Sequence, residues 1–282
     1  MVKIITDSAA DFEPAELERM NITCIPLTVF FGDAEYHENE NLSKNRFYEL
    51  LASSESFPKT SQASPQILLE LFEDADKQGD DALYITLSSG LSGTYQNAVM
   101  TQGLIRSGKC HVVDSLNGTG GQRMVVEYAV RLRDEGKTAL QIVEALEAMR
   151  DRVELYACID TLEYLYRGGR ISQTAYRLGT LANIKPIISV DKTGRVTVPA
   201  KTMGMRKGMD CLCKRLDMRK PDGNLPLYVM YTNNPAVGES LAQKIRAAGI
   251  PVPDDRIIQV GAAIGSHIGP EACGIVYVGE QA

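Results

Sequence analysis

Residues 82–98, ALYITLSSGLSGTYQNA, hold the groups in this chain best suited to gripping an anion. Leu83 to Leu87 form a short β-rich run, Gly90 and Gly93 free the backbone, and Tyr95, Gln96, Asn97 and Ala98 resume helical spacing. The first N–H groups of such a helix lack intrahelical partners and carry the positive end of its dipole, so a phosphate or carboxylate can dock there. Ser88, Ser89, Ser92 and Thr94 add hydroxyls that can donate to the same anion. Capping by Ser92 and turning by the glycines would account for any one of these residues. Four hydroxyls and two glycines in seven residues favour a ligand.

Other segments offer groups that could join them. In Phe57–Pro65, Ser64 reads as a helix N-cap and Pro65 as the first helical residue, which leaves the hydroxyls of Thr60 and Ser61 in a loop able to fold over the first site. His267 stands between Gly265 and Gly269 in a predicted loop before a final strand. It can donate to a ligand carboxylate or acyl phosphate, or simply bond backbone carbonyls. Arg167 and Arg170 bracket a glycine pair between two predicted helices, where they could clamp a phosphate or meet an acidic partner, or serve only the helix dipole. Arg206 and Lys207 begin a later helix, where positive charge opposes the dipole, and that gives weight to a functional role.

Catalytic signatures are weaker. GLSGT at 90–94 fails the GxSxG pattern because Thr94 replaces the final glycine, and no GxxxxGK[ST] nucleotide loop exists. Asp7 and Asp11 could be paired carboxylates, yet each also reads as a turn or cap residue. The six cysteines (24, 110, 158, 211, 213 and 273) are scattered with no CxxC, and the chain has only three histidines, so neither a zinc site nor a disulfide framework is indicated. We read the cysteines as small, mostly buried apolar residues.

These groups need a frame, and the apolar patterning predicts a layered α/β one. Strands are expected at 2–6, 24–30, 82–87 and 110–113, with helices at 14–20, 43–53, 65–78, 93–107, 120–135 and 139–150. That order predicts a mainly parallel sheet whose carboxyl edge gathers Thr6–Ser8, the 88–94 loop and Asp114–Ser115. The second half predicts a mixed sheet from strands at 154–158, 186–190, 195–199, 227–231, 256–260 and 273–278, with helices at 161–166, 173–182, 206–216 and 235–248. Lys192–Gly194 reads as a hairpin turn. Two α/β domains, 1–152 and 153–282, follow, and 282 residues suit that division.

A net charge of −6 argues against bulk nucleic-acid binding. No stretch is long and apolar enough to insert in a membrane, and no signal-peptide core opens the chain, so a cytoplasmic location is expected.

Seven segments in order, ITDSAADF (4 onward), KTSQASP (59–65), SSGLSGTYQNA (88–98), VVDS (112–115), YRGGRIS (166–172), IKPII (184–188) and IGSHIGPEA (264–272), together resemble the DegV family. The resemblance implies a non-catalytic bacterial protein that holds one long-chain fatty acid between two α/β domains and presents its carboxylate to a separate ATP-dependent fatty acid kinase. No cofactor is implied beyond the bound lipid. By that resemblance Thr60, Ser92 and His267 hydrogen-bond the carboxylate, with Ser61 and Gly93 beside them, while Arg170 and Arg206 are candidate partner or phosphate contacts. Two positions depart from the family pattern: Glu271 stands where glycine is common and would repel a carboxylate unless turned away, and Met203 and Met205 precede Arg206. Two other readings use the same residues: a small-molecule phosphotransferase or hydrolase built on Ser92 and His267, and a carrier of another anionic amphiphile with no kinase partner.

Overall fold

The computed structural model describes residues 1–177 and 183–281. The first half runs β1 (Val2–Asp7), a 3-10 turn at Ser8–Ala10, α1 (Pro14–Met20), β2 (Ile22–Ile25), β3 (Thr28–Phe31), β4 (Ala34–His37), α2 (Lys44–Ser53) and β5 (Lys59–Thr60). It continues through α3 (Pro65–Gln78), β6 (Asp81–Thr86), α4 (Thr94–Gln102), β7 (Cys110–Asp114), α5 (Thr119–Asp134) and α6 (Ala139–Arg150). The second half comprises β8 (Val153–Ile159), α7 (Glu163–Arg167), α8 (Gln173–Arg177), β9 (Ile184–Val190), β10 (Val196–Met203), α9 (Gly204–Met218) and β11 (Leu227–Tyr231). After α10 (Pro235–Ala247) come β12 (Ile257–Gln259), α11 (Ala262–Ile268) and β13 (Ala272–Val278).

Two α/β domains result. The first sheet has the order β2-β1-β6-β7 with every pairing parallel, so the loops after β1, β6 and β7 gather at one carboxyl edge, as the strand-helix alternation predicts. The second has the order β10-β9-β8-β13-β11-β12 and is mixed: only β11 and β12 run parallel. Lys192–Gly194 makes the β9–β10 hairpin turn, with Gly194 at φ +73°.

One core spans both domains. Met124, Val125, Val126 and Ala129 on α5 pack in one cluster with Ile4 and Leu83 of the first sheet and with Tyr228, Met230 and Val276 of the second. The helix lies close enough to the second sheet that a Cβ on Gly120 would sit 2.6 Å from Val276 Cγ1. Burying this surface, worth about 25 cal/mol per Å², holds the two domains against each other with no disulfide between them.

Five expectations need correction. The strand predicted at 24–30 is two strands in different sheets: Pro26 has no N–H to continue the parallel ladder, and the chain leaves for a third, small antiparallel sheet, β4-β3-β5, beyond the two predicted. α4 stops at Gln102 rather than 107, capped by Gly103. The loop predicted around His267 is the helix α11; Gly265 is there for packing, since its Cβ would press on Phe47 and Tyr48, and the turn comes at Gly269, φ +81°. β10 runs on to Met203, and α9 starts at Gly204. Three cysteines, Cys24, Cys211 and Cys213, are only half-buried; all six are free. The helix predicted over 173–182 covers 173–177, and its remainder lies outside the described residues.

Candidate functional site

Between the domains lies a cavity of about 390 Å³. Its floor is one face of the second sheet, where side chains two residues apart point the same way: Leu155 and Ala157 on β8, Ile188 and Val190 on β9. Leu27, Leu87 and Leu91 close it from the first domain, and Ile264 and Ile268 of α11 from the side. The volume falls within the range of small-molecule sites, and the lining is predominantly apolar.

The polar groups collect where Thr60, Ser61, Ser92, Gly93, Arg170 and His267 all line this space. β5 brings Thr60 in by pairing with Val29 of β3, and Ser61 N–H donates to Thr28 O at 3.0 Å. α11 carries His267 in its last turn, where the ring Nε2 lies 2.9 Å from Thr60 Oγ1. The turn after β6 presents Ser92, whose hydroxyl accepts the Thr94 N–H at 3.2 Å and shares a 2.9 Å hydrogen bond with Thr94 Oγ1. Ser92 therefore ties down the start of α4, and Gly93 occupies the N-cap position with no side chain to block approach.

His267 keeps part of its surface open to the cavity and is otherwise enclosed. Burial, reinforced by the Arg170 charge, pushes its pKa down to about 3, so the imidazole is neutral at physiological pH. Its Nδ1 is buried without a hydrogen-bond partner, pressed against Gly168, where a Cβ would collide with it. Arg170 is fixed by backbone carbonyls: its Nε donates to Leu91 O at 3.0 Å and its Nη1 to Gly168 O at 2.5 Å. Arg167 instead pairs with Glu163 at 2.8 Å and lies over the Phe57 ring.

A wider groove of about 1030 Å³ adjoins the polar end of the cavity. It shares Ser92, Gly93 and Arg170 with the cavity and adds Arg195 and Lys201. Arg206 is exposed in the first turn of α9 and lines neither space. Glu271 is also exposed and outside the cavity lining, so its charge faces water rather than the Thr60–His267 pair. Met203 is 52% exposed, whereas Met205 packs on Cys273.

Three carboxylates that could have faced a ligand, two at strand ends and one after the 3-10 turn, are used by the protein itself. Asp7 accepts from Leu87 N–H (2.8 Å) and Gln122 Nε2 (3.0 Å), which pins the start of the 88–94 loop to β1. Asp114 accepts from Ser89 N–H (3.1 Å) and Leu116 N–H (2.9 Å). Asp11 accepts from Gly261 N–H (2.8 Å) and from the Thr119 hydroxyl. Among the described residues no group of three or more His, Cys, Asp or Glu side chains is arranged to hold a metal ion, and no helix is long and apolar enough to cross a membrane.

Fold and site define a class: a two-domain α/β protein that encloses an apolar chamber and collects hydroxyls and one neutral histidine at its end. The sequence profile described as "Uncharacterised protein, DegV family" matches residues 1–280, and the chain belongs to the DegV family. A DegV domain-containing protein of Caldanaerobacter subterraneus is 32% identical over 283 residues, 98% of each chain. Among solved structures, a DegV family protein from Thermus thermophilus described by its fatty acid binding superposes with a TM-score of 0.89 at 29% identity, covering 99% of both chains. DegV of Bacillus subtilis, described as a fatty acid binding protein, gives 0.85 at 28% identity, again over 99% of both.

Proposed function

We propose that this chain binds one long-chain fatty acid with its tail in the interdomain cavity and its carboxylate among Thr60, Ser61, Ser92, Gly93 and His267. The observation that carries the reading is the joining of an apolar cavity to a cluster of hydroxyls and a neutral histidine, with Arg170 beside them, at one place on its wall. Fatty acid binding by the Thermus and Bacillus relatives, which match over 99% of the chain, supports it. Burial of an acyl tail contributes about 0.8 kcal/mol per methylene, on the order of 10 kcal/mol for a long chain before entropy is subtracted.

The histidine's part follows from its geometry. We assign the proton of the neutral ring to Nε2, which then donates to Thr60 Oγ1 and leaves the Thr60 O–H free to donate to the carboxylate. Such a chain of donors strengthens each member by polarisation. The same geometry disfavours the hydrolase and phosphotransferase readings. The Ser92 hydroxyl is bonded to Thr94 rather than to His267, and an imidazole held near pKa 3 is a poor general base.

The chain thus acts as a carrier that breaks no bond itself. The finer reading is that a separate ATP-dependent fatty acid kinase phosphorylates the presented carboxylate. The open groove beside Ser92 and Arg170, with Arg195 and Lys201 on its wall, supports access from outside; Arg206, further off on α9, is a candidate contact for the partner rather than for the lipid. We place the domain boundary at 152/153, since the strands of the parallel sheet end by Asp114 and those of the mixed sheet begin at Val153.

Native mass spectrometry of the purified protein, followed by lipid extraction, tests the core of this proposal. The expected result is one acyl chain per protein, exchangeable with added fatty acid. No copurified lipid and no uptake would reject it, as would turnover by the isolated chain that disappears in His267→Ala.

A further inference from the structure

The helix that delivers His267 is seven residues long, and its N-cap, Gly261, contributes no side chain. The N–H groups of this N-cap and of the first two helical residues are nonetheless bonded, by carboxylates from the other domain. Gly261 N–H donates to Asp11 Oδ1 at 2.8 Å, Ala262 N–H donates to Glu38 Oε1, and Ala263 N–H lies 3.4 Å from both Glu38 oxygens. The remaining oxygens are occupied too: Ser8 Oγ donates to Glu38 Oε2 at 2.7 Å and the Thr119 hydroxyl to Asp11 Oδ2. A Cβ on Gly261 would collide with both carboxylates, so the glycine is what lets them reach the backbone. Negative charge at this end also complements the helix dipole.

The position of Glu38 gives this grip its consequence. Glu38 follows β4, Thr60 lies in β5, and both strands pair with β3, where Thr28 faces His37 and Val29 faces Thr60. One three-stranded sheet therefore holds α11 at both ends: Glu38 at its first turn, and Thr60 through the side chain of His267 in its last. The two grips are about 7.5 Å apart along the helix. Gly265, packed on Phe47 and Tyr48, fixes the middle, and the Tyr48 hydroxyl donates to Val260 O at 2.9 Å just before the helix.

We propose that Glu38, with Asp11 beside it, is a positioning residue for the carboxylate site: it seats α11 so that His267 meets Thr60, and it influences ligand retention through that contact. The proposal rests on the fatty acid reading for its ligand but not for its geometry.

A double-mutant cycle on the full chain tests it, with palmitate as the probe. Glu38→Gln keeps the side-chain shape and removes the charge; it is expected to weaken palmitate binding about tenfold when His267 is present and less than about twofold in a His267→Ala background. Equal factors in the two backgrounds would overturn the proposal, because they would show an effect that does not pass through His267. Gly261→Ala separates helix from carboxylates without altering either acid, and is expected to lower affinity in the same His267-dependent way should Glu38→Gln fail to fold. Nitrogen-15 NMR of the ligand-free protein gives a readout independent of lipid. Glu38→Gln is expected to move the His267 ring resonances toward those of a Thr60→Val variant, and unchanged resonances would refute the positioning role. Failure of the wild type to bind palmitate would instead sink the fatty acid reading and leave the ring measurement standing.

Discussion

The polar clusters at the two ends of α11 are built from different groups and left in different states. At its first turn Asp11 and Glu38 are each 1% exposed, and all four of their carboxylate oxygens accept hydrogen bonds from the protein. At its last turn Thr60, Ser92 and His267 are uncharged, bonded pairwise, and open to the cavity, with donor capacity left over. A closed set of hydrogen bonds fixes a structure. An open one, facing an apolar chamber, is where a ligand's polar end completes the pairing. Keeping acids out of the open cluster matters as well: a carboxylate at that site would repel the ligand, and Asp11 and Glu38 are sealed behind donors.

This division predicts where substitutions will register. The largest effect is expected for Asp7→Ala, which strips the acceptor from the Leu87 N–H and Gln122 in the buried strand-end network. Denaturant melts are expected to show a loss of about 3 kcal/mol, from the buried Leu87 and Ala9 N–H groups left unpaired. A loss below ~1 kcal/mol would mean the closed network is not structural. Thr60→Val and Ser92→Ala should each weaken fatty acid binding by about 1–2 kcal/mol in a displacement titration, Thr60→Val with little change in unfolding midpoint and Ser92→Ala with about 1 kcal/mol of stability lost at the start of α4. If the same substitutions cost stability and leave affinity alone, the two clusters have been misassigned.

The pH dependence separates them again. Burial raises Asp7 and Asp11 to about 6 and Glu38 to about 7. Groups protonated more readily in the folded state contribute stability that is full at low pH and lost as pH rises through those values. His267 has the reverse sign: its folded pKa near 3 lies below the ordinary 6.5, so its contribution grows with pH up to about 6.5. Three protons against one give a net fall in stability between about pH 5 and 7.5. Guanidinium melts at the two ends of that window measure it, and His267→Gln should steepen the fall by removing the opposing group. The smallest effects are expected for Glu271→Gln and Arg206→Ala, both exposed and outside the cavity lining, with fatty acid affinity changed by less than about 0.5 kcal/mol.

How much of this could be read from the residues alone follows from how local each signal is. The 88–94 loop, the Ser64–Pro65 helix start and the Lys192–Gly194 hairpin were legible because turn and cap chemistry is written within a few residues. His267 was legible as a candidate, but its helix was not, since Gly265 reads as a breaker when its purpose is to admit Phe47 and Tyr48 from elsewhere in the chain. Glu38 was invisible: in HENEN, residues 37–41, it looks like solvated loop, and only a contact spanning more than 200 residues reveals its burial. The cavity lining was hidden for a related reason. Leu155, Ala157, Ile188 and Val190 have the alternation of any half-buried strand, and nothing local says that they face a cavity rather than a helix.

The pairing left open at Thr60 and Ser92 is best tested on the ligand itself. Palmitate labelled with carbon-13 at the carboxyl, bound to the wild type and to Thr60→Val and Ser92→Ala, reports the carboxylate's surroundings by NMR. The expected result is a single bound resonance displaced from that of free palmitate and moved by each substitution. A bound carboxyl that resonates as it does in water, unmoved by either change, would place it away from this cluster and contradict the account.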